Sequence, residues 1–258
     1  MQEIFDAAAI RAHRDRAAGL ILRVAPVLAD LAAPLLDRLD DTSRRFANAL
    51  DFGGRGAVAP ALLARGMAVA SADISPAMAA IAGGTPLILG PESDFGLPSQ
   101  KFDLVVASLS LHGFNDLPGT LIQLRRSLVP EGMLLASMPV LGTLDGLRAA
   151  LLDAEEDLTG GVSPRVAPFP TLADAAGLLS RAGFALPVAD ALNFDFLYAD
   201  PLALLHELRA AGETNAVRER SRRTPPRTLF PKALSRLPVR DGRLLVQLRL
   251  AMLTGWAS

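Results

Sequence analysis

The stretch from Ala49 to Ala57, Ala-Leu-Asp-Phe-Gly-Gly-Arg-Gly-Ala, restricts the folds open to this chain more than any other. It reads as a short apolar strand ending on an acid, then a glycine turn, then the start of a helix. Gly53, Gly54 and Gly56 let the backbone turn sharply and approach a ligand, and the helix start offers N–H groups with no partner of their own. In an α/β protein such a unit commonly grips an adenosine-containing cofactor.

The flanking pattern repeats the unit. Phe46 to Asp51 is the first strand, Val58 to Arg65 a helix, and Met67 to Asp73 a second strand ending on an acid. Ser75-Pro76 caps a short helix running to Gly83, and Pro86 to Gly90 is a third strand. Phe102 to Ser108 is a mostly continuous apolar run, as a central parallel strand requires. Asp116-Leu117-Pro118 opens a helix that ends near Gly132, and Met133 to Met138 is the fifth strand. Thr143 to Leu158 and Thr171 to Ala182 are helices, the second with Thr171 and Asp174 at capping-box spacing. Ala185 to Tyr198 is a long strand with a bulge expected near Asn193, and Asp200-Pro201 opens a helix closed by Gly212. Arg218 to Arg227 is a basic, proline-containing loop, read as a solvated, mobile segment. Arg243 to Thr254 is a last strand, paired with the preceding one at one edge.

Strands alternating with helices argue for α/β architecture: a doubly wound, mostly parallel, seven-stranded sheet. Two amphipathic helices, residues 4–23 and 24–39, precede it. Residues 1–45 are read as a helical lid and 46–258 as the main domain, with a helical insertion over 200–240. The helices either pack in front of the domain or cover its site, with a basic face meeting a carboxylate.

Composition narrows the partners. The 26 basic and 27 acidic residues leave a net charge of −1, and no basic patch suits nucleic acid. Only Lys101 and Lys232 are lysines, and there is no cysteine for a disulfide, a thiolate ligand or a nucleophile. No apolar run reaches the roughly 18 residues of a membrane span. The N-terminus carries early acids and no apolar leader, so a cytoplasmic location is the expectation, extending to the periphery of the inner membrane.

Four features fall at the C-terminal ends of successive strands, where open α/β sheets bind ligands. They are Asp51 with its glycines, Asp73 with Ile74, the acidic turn Glu92-Ser93-Asp94, and Ser108 to His112. Asp73 lies about 20 residues past the turn, where an acid holds a ribose diol, and Ile74 can lie against an adenine. A third acid ahead of Leu97-Pro98 makes S-adenosylmethionine, with S-adenosylhomocysteine as product, the best fit. No phosphate-loop or dinucleotide fingerprint competes with it. The expected cofactor set is Asp51, Gly53, Gly54, Gly56, Asp73, Ile74, Asp94 and Ser108, with Glu92 second to Asp94. His112 and Asn115 face the substrate side as candidate catalytic residues. His13 and His206 fall on helices and read as surface or packing residues. No His-x-Asp or His-x-x-x-His pattern supports a bound metal.

The chain resembles the class I S-adenosylmethionine methyltransferases. Within them it is similar to the complex I assembly factor family of arginine hydroxylases and its α-proteobacterial relatives. Ile4-Phe5-Asp6, the run Phe102 to His112, Asn115 to Pro118, Ser163-Pro164 with Pro168-Phe169, Ser180 to Phe184 and Gly212-Glu213-Thr214-Asn215 carry the resemblance. That family's turn is D-x-G-C-G-x-G, whereas here Asp51-Phe52-Gly53-Gly54-Arg55-Gly56 is one residue shorter. Ser93 stands at the family's acid, between Glu92 and Asp94, and Gly113 replaces the tryptophan after the histidine. The resemblance implies a methyltransferase-fold enzyme acting on a protein or small-molecule acceptor, a respiratory complex I subunit among the candidates. It also leaves three other readings: an assembly factor with a weakened cofactor site, an arginine hydroxylase, and a carboxyl methyltransferase acting on a carrier protein, which Arg218 to Arg227 could meet.

Overall fold

The structure is a computed structural model and describes residues 3–257. In chain order the elements are α1 (Ala7–Ala18), α2 (Ala25–Leu36), β1 (Asn48–Phe52), α3 (Val58–Ala64), β2 (Ala68–Asp73), α4 (Pro76–Ile81), β3 (Thr85–Ile88), β4 (Phe102–Ser108) and α5 (Leu117–Ser127). They continue with β5 (Leu128–Pro139), α6 (Asp145–Thr159), α7 (Leu172–Arg181), β6 (Phe184–Tyr198), α8 (Pro201–Ala210), α9 (Leu229–Leu234), β7 (Val239–Arg240) and β8 (Arg243–Ala257). Many helix starts are written into the sequence. Asp6, Ser75, Asp116 and Asp200 each accept a backbone N–H at the head of a helix, and Thr171 and Asp174 form a reciprocal capping box on α7.

The strands lie in the order β3-β2-β1-β4-β5-β8-β6, with β7 paired to β8. The run from β3 to β5 is parallel, while β8 is antiparallel to both β5 and β6. Seven strands thus form the continuous path, as expected, and a two-residue eighth hangs on β8. Strand order reverses between β1 and β4, so a crevice opens beyond their C-terminal ends. Successive residues of β1 feed opposite faces of the sheet: Ala49 joins the apolar cluster that holds Leu31 and Leu35 of α2, and Leu50 the one that holds Leu121 and Leu124 of α5. A third apolar cluster joins α6, α8 and α9 to the outer part of β8.

Three sequence expectations shift. α5 stops at Ser127, and β5 begins at once at Leu128 and tolerates Glu131 at φ 60°, so there is no loop around Gly132. The β6 bulge lies between Ala185 and Val188, while Asn193 pairs regularly with Arg249. Pro187 sits inside that bulge and has no N–H to give to a ladder, which moves the irregularity there. The basic segment is not simply solvated, because Arg218 pairs with Glu3, and Arg220 and Arg222 both pair with Asp6. Among the described residues no helix is long and apolar enough to cross a membrane.

Candidate active site

A cavity of about 1050 Å³ opens where strand order reverses, between the glycine turn, β2, the segment after β4, and the covering helices α1, α6 and α8. At the turn, Gly53 has φ +72°, and a Cβ on it would lie 2.3 Å from the Cβ of Ser110. Gly54 is equally confined, since its Cβ would lie 2.3 Å from Asp51 Oδ2. The strand, the turn and the segment after β4 therefore meet too closely for side chains at these positions.

Asp73, 1% exposed, ends β2 under the cavity. Its Oδ1 accepts from the Ser75 N–H (2.8 Å), and both oxygens accept from Arg14 Nε (3.1 and 2.8 Å). The second guanidinium arm of Arg14 also meets Oδ2 and donates to the Gly53 carbonyl at 2.9 Å. Burial opposes the charge on Arg14, but the Asp73 carboxylate outweighs it and raises its pKa. The basic face expected on the first helix does meet a carboxylate, and that carboxylate is the ribose-binding candidate.

The second buried cation is Arg55, inside the turn. It donates to the Ala211 carbonyl (3.2 Å), to Glu213 Oε1 (2.5 Å) and to the Leu109 carbonyl. Glu213 Oε2 lies 2.8 Å from His112 Nε2. Burial works to neutralise Glu213, yet the neighbouring His112 and Arg55 hold its carboxyl far below the usual range. An ionised carboxylate can only accept, so Nε2 carries the proton of this bond, and Nδ1 offers a lone pair whenever the ring is neutral. That Nδ1 is buried without a partner, as are Ser110 Oγ, His13 Nδ1 and, below the turn, Asp51 Oδ2. Burial pushes the Asp51 carboxyl up to about 7, against the Ala59 N–H and Arg55.

The expected residues separate into groups. Gly53, Asp73, Ile74 and His112 line the cavity. Asp51, Gly54 and Gly56 shape the turn behind Gly53, and Ser108 faces Ser137 with their hydroxyls 3.5 Å apart. Asp94 is exposed, accepts from the Gly96 N–H (3.0 Å) and lies off the cavity lining, whereas Glu92 lines it and accepts from the Asp116 N–H. Asn115 does not reach the cavity. Its Oδ1 accepts from the N–H groups of Ile4 and Phe5 (both 2.8 Å) and its Nδ2 donates to the Phe5 carbonyl (3.2 Å). Arg14, Arg55, Ser110 and Glu213 were not singled out as site residues. The available signals were an arginine on the Ala17 face of α1, and the Gly-Glu-Thr-Asn block whose role the sequence leaves open.

The chain matches the family model described as a methyltransferase domain over residues 50–136. It is 30% identical over 253 residues to a malonyl-[acyl-carrier protein] O-methyltransferase of Halorhodospira halophila, covering 93% of this chain and 84% of the relative. The chain belongs to the class I S-adenosylmethionine-dependent methyltransferase family. It is also 35% identical over 192 residues to the mitochondrial arginine-hydroxylase NDUFAF5 of Rattus norvegicus, covering 72% of this chain and spanning only 56% of the rat protein's length. Among solved structures, a chain from the complex of the Haloferax volcanii Trm112 methyltransferase activator shares the fold, with a TM-score of 0.59, 15% identity, and coverage of 96% of this chain and 97% of that one. The matched methyltransferase segment runs from β1 to β5 and so contains the glycine turn, Asp73 and His112. Arg14 and Glu213 come from outside it.

Proposed function

We propose that the chain transfers a methyl group from S-adenosylmethionine to an acceptor bearing an O–H or N–H, with the Glu213–His112 pair taking up the acceptor's proton. The carrying observation is that pair. A half-buried, ionised Glu213 holds Nε2, and the unpartnered Nδ1 sits on a ring that lines the cavity. A carboxylate acceptor is already ionised and would need no such base.

The residues fit the cofactor in most respects. The turn at Gly53 leaves room for close backbone approach, and Ile74 offers an apolar surface at the end of β2. Ser110 Oγ, on the cavity lining, is a hydrogen-bonding atom without a partner. When bound, S-adenosylmethionine supplies an electrophilic methyl group. The chain's own contribution is to place the acceptor in line, exclude water and accept a proton at His112 Nδ1.

Asp73 is the exception. A carboxylate has about four acceptor positions, and Arg14 with the Ser75 N–H engages all of them. A ribose diol can be held only if Arg14 yields. This favours a second reading, in which the chain keeps the fold as a binding or assembly factor with a weakened cofactor site. Titration calorimetry separates the two. Saturable micromolar binding of S-adenosylhomocysteine, weakened at least about tenfold by Asp73→Asn through loss of a charge-assisted bond, is expected. No heat at millimolar ligand would leave the second reading standing. For the acceptor step, His112→Asn should lower turnover about 100-fold or more while leaving S-adenosylhomocysteine binding in place.

A further inference from the structure

The cavity exceeds the cofactor's needs, and the excess is of one chemical kind. Away from the glycine turn it extends as a lobe between α6, α8, α9 and the outer parts of β6 and β8. Leu147, Leu151, Phe196, Leu205, Leu208 and Phe230 line it. In it the Tyr198 hydroxyl donates to Glu207 Oε2 at 2.7 Å. Burial and that carboxylate together push the Tyr198 pKa up, so the phenol stays neutral. Water entering the lobe would find few partners, and an empty apolar void forfeits packing.

The carboxylates on the whole lining argue in the same direction. There are four among the described residues, and each is engaged: Asp73 by Arg14, Glu92 by the Asp116 N–H, Glu207 by Tyr198, and Glu213 by Arg55 and His112. Asp73 and Glu213 already hold guanidinium groups, so a cationic acceptor at either would have to displace an arginine.

We propose that this lobe holds a hydrocarbon chain, so that the acceptor is an amphiphile with its O–H or N–H head beside His112 and its chain among the α6, α8 and α9 side chains. The identity of the head group rests on the methyl-transfer reading, whereas the chain site does not and can be measured separately. The probes are 1-hexanol, 1-octanol and 1-decanol, titrated into the full chain with and without S-adenosylhomocysteine. Burial of each methylene should tighten binding about fourfold. Leu205→Trp and Leu208→Trp, each filling the lobe, should flatten that series. Unchanged circular dichroism and melting would show that both variants fold. Equal affinity for all three alcohols, a slope that survives in both folded variants, or binding of an acetylated leucine peptide in preference to any alcohol would overturn the proposal. Absence of S-adenosylhomocysteine binding would sink the methyltransferase reading and leave the alcohol series to decide the lobe.

Discussion

Arg14 and Asp51 show how individual residues set the terms of this site. Arg14 stabilises Asp73 while competing with any ribose for the same oxygens. Arg14→Ala should therefore lower stability by about 3 kcal/mol, because it strands a buried charge, and should tighten S-adenosylhomocysteine binding. Melting curves with and without ligand test this, and weaker binding by the variant would instead put Arg14 on the cofactor's side. Asp51 makes a prediction about pH. Its carboxyl titrates at about 7 when folded, against an ordinary value of 3.8. Between those values the folded chain holds a proton that the unfolded chain releases, so stability falls as pH rises from 4 to 7 and then levels off. Asp51→Asn should remove that slope and raise stability above pH 7 by up to about 4 kcal/mol, readable in denaturant melts across the range. Asp51, Gly53 and Asp73 were legible in the sequence because they stand at fixed offsets from strand ends. Asp94 misled because spacing to Leu97-Pro98 does not say which of two neighbouring acids turns inward. Here Asp94 is used by the Gly96 N–H, and Glu92 lines the cavity.

Among the elements, those with local causes were readable and those with distant causes were not. Ser75-Pro76, Asp116-Leu117-Pro118, Thr171 with Asp174, and Asp200-Pro201 each mark a helix start within a few residues, and all four begin helices. α9 has six residues and no side-chain cap, and it is placed by packing against α6, which no local pattern records. Asn115 illustrates the same limit. As a polar residue near the cavity rim it resembled a substrate contact, yet all three of its hydrogen bonds hold Ile4 and Phe5, some 110 residues away in sequence. Those bonds, the Asp6 cap and the Phe5–Val217 bridge fix the approach to α1. Asn115→Ala should cost about 2 kcal/mol by leaving backbone N–H groups unpaired. It should also accelerate proteolysis ahead of Ala7. Cleavage at the wild-type rate would mean that the Asp6–Arg220 and Asp6–Arg222 pairs hold the segment unaided.

For the molecule as a whole, the site is an assembly of distant pieces brought together by a few buried ions. Arg14 and Asp73 are 59 residues apart, His112 and Glu213 are 101, and Arg55 and Glu213 are 158. Three blocks that carry the family resemblance meet here, as Glu213 bonds His112 and Asn215 donates to the Pro164 carbonyl at 2.8 Å. Arg55 is the joint. From the glycine turn it reaches the end of α8 through Ala211 and Glu213, and the segment after β4 through the Leu109 carbonyl. The arginine in this shortened turn thus ties the cofactor-side loop to the part of the chain that covers the cavity. Replacing it should loosen regions that share no sequence neighbourhood. Arg55→Ala leaves Glu213 with only His112 and should cost about 3 kcal/mol, the low end for breaking a buried pair because Glu213 is half-buried. Hydrogen exchange should rise in residues 209–215 and 108–113 together, while α3 and β2, which have their own core contacts, stay protected. Faster exchange confined to residues 53–57 would mean that the turn and the cover are independent, and that the buried arginine serves only its own loop.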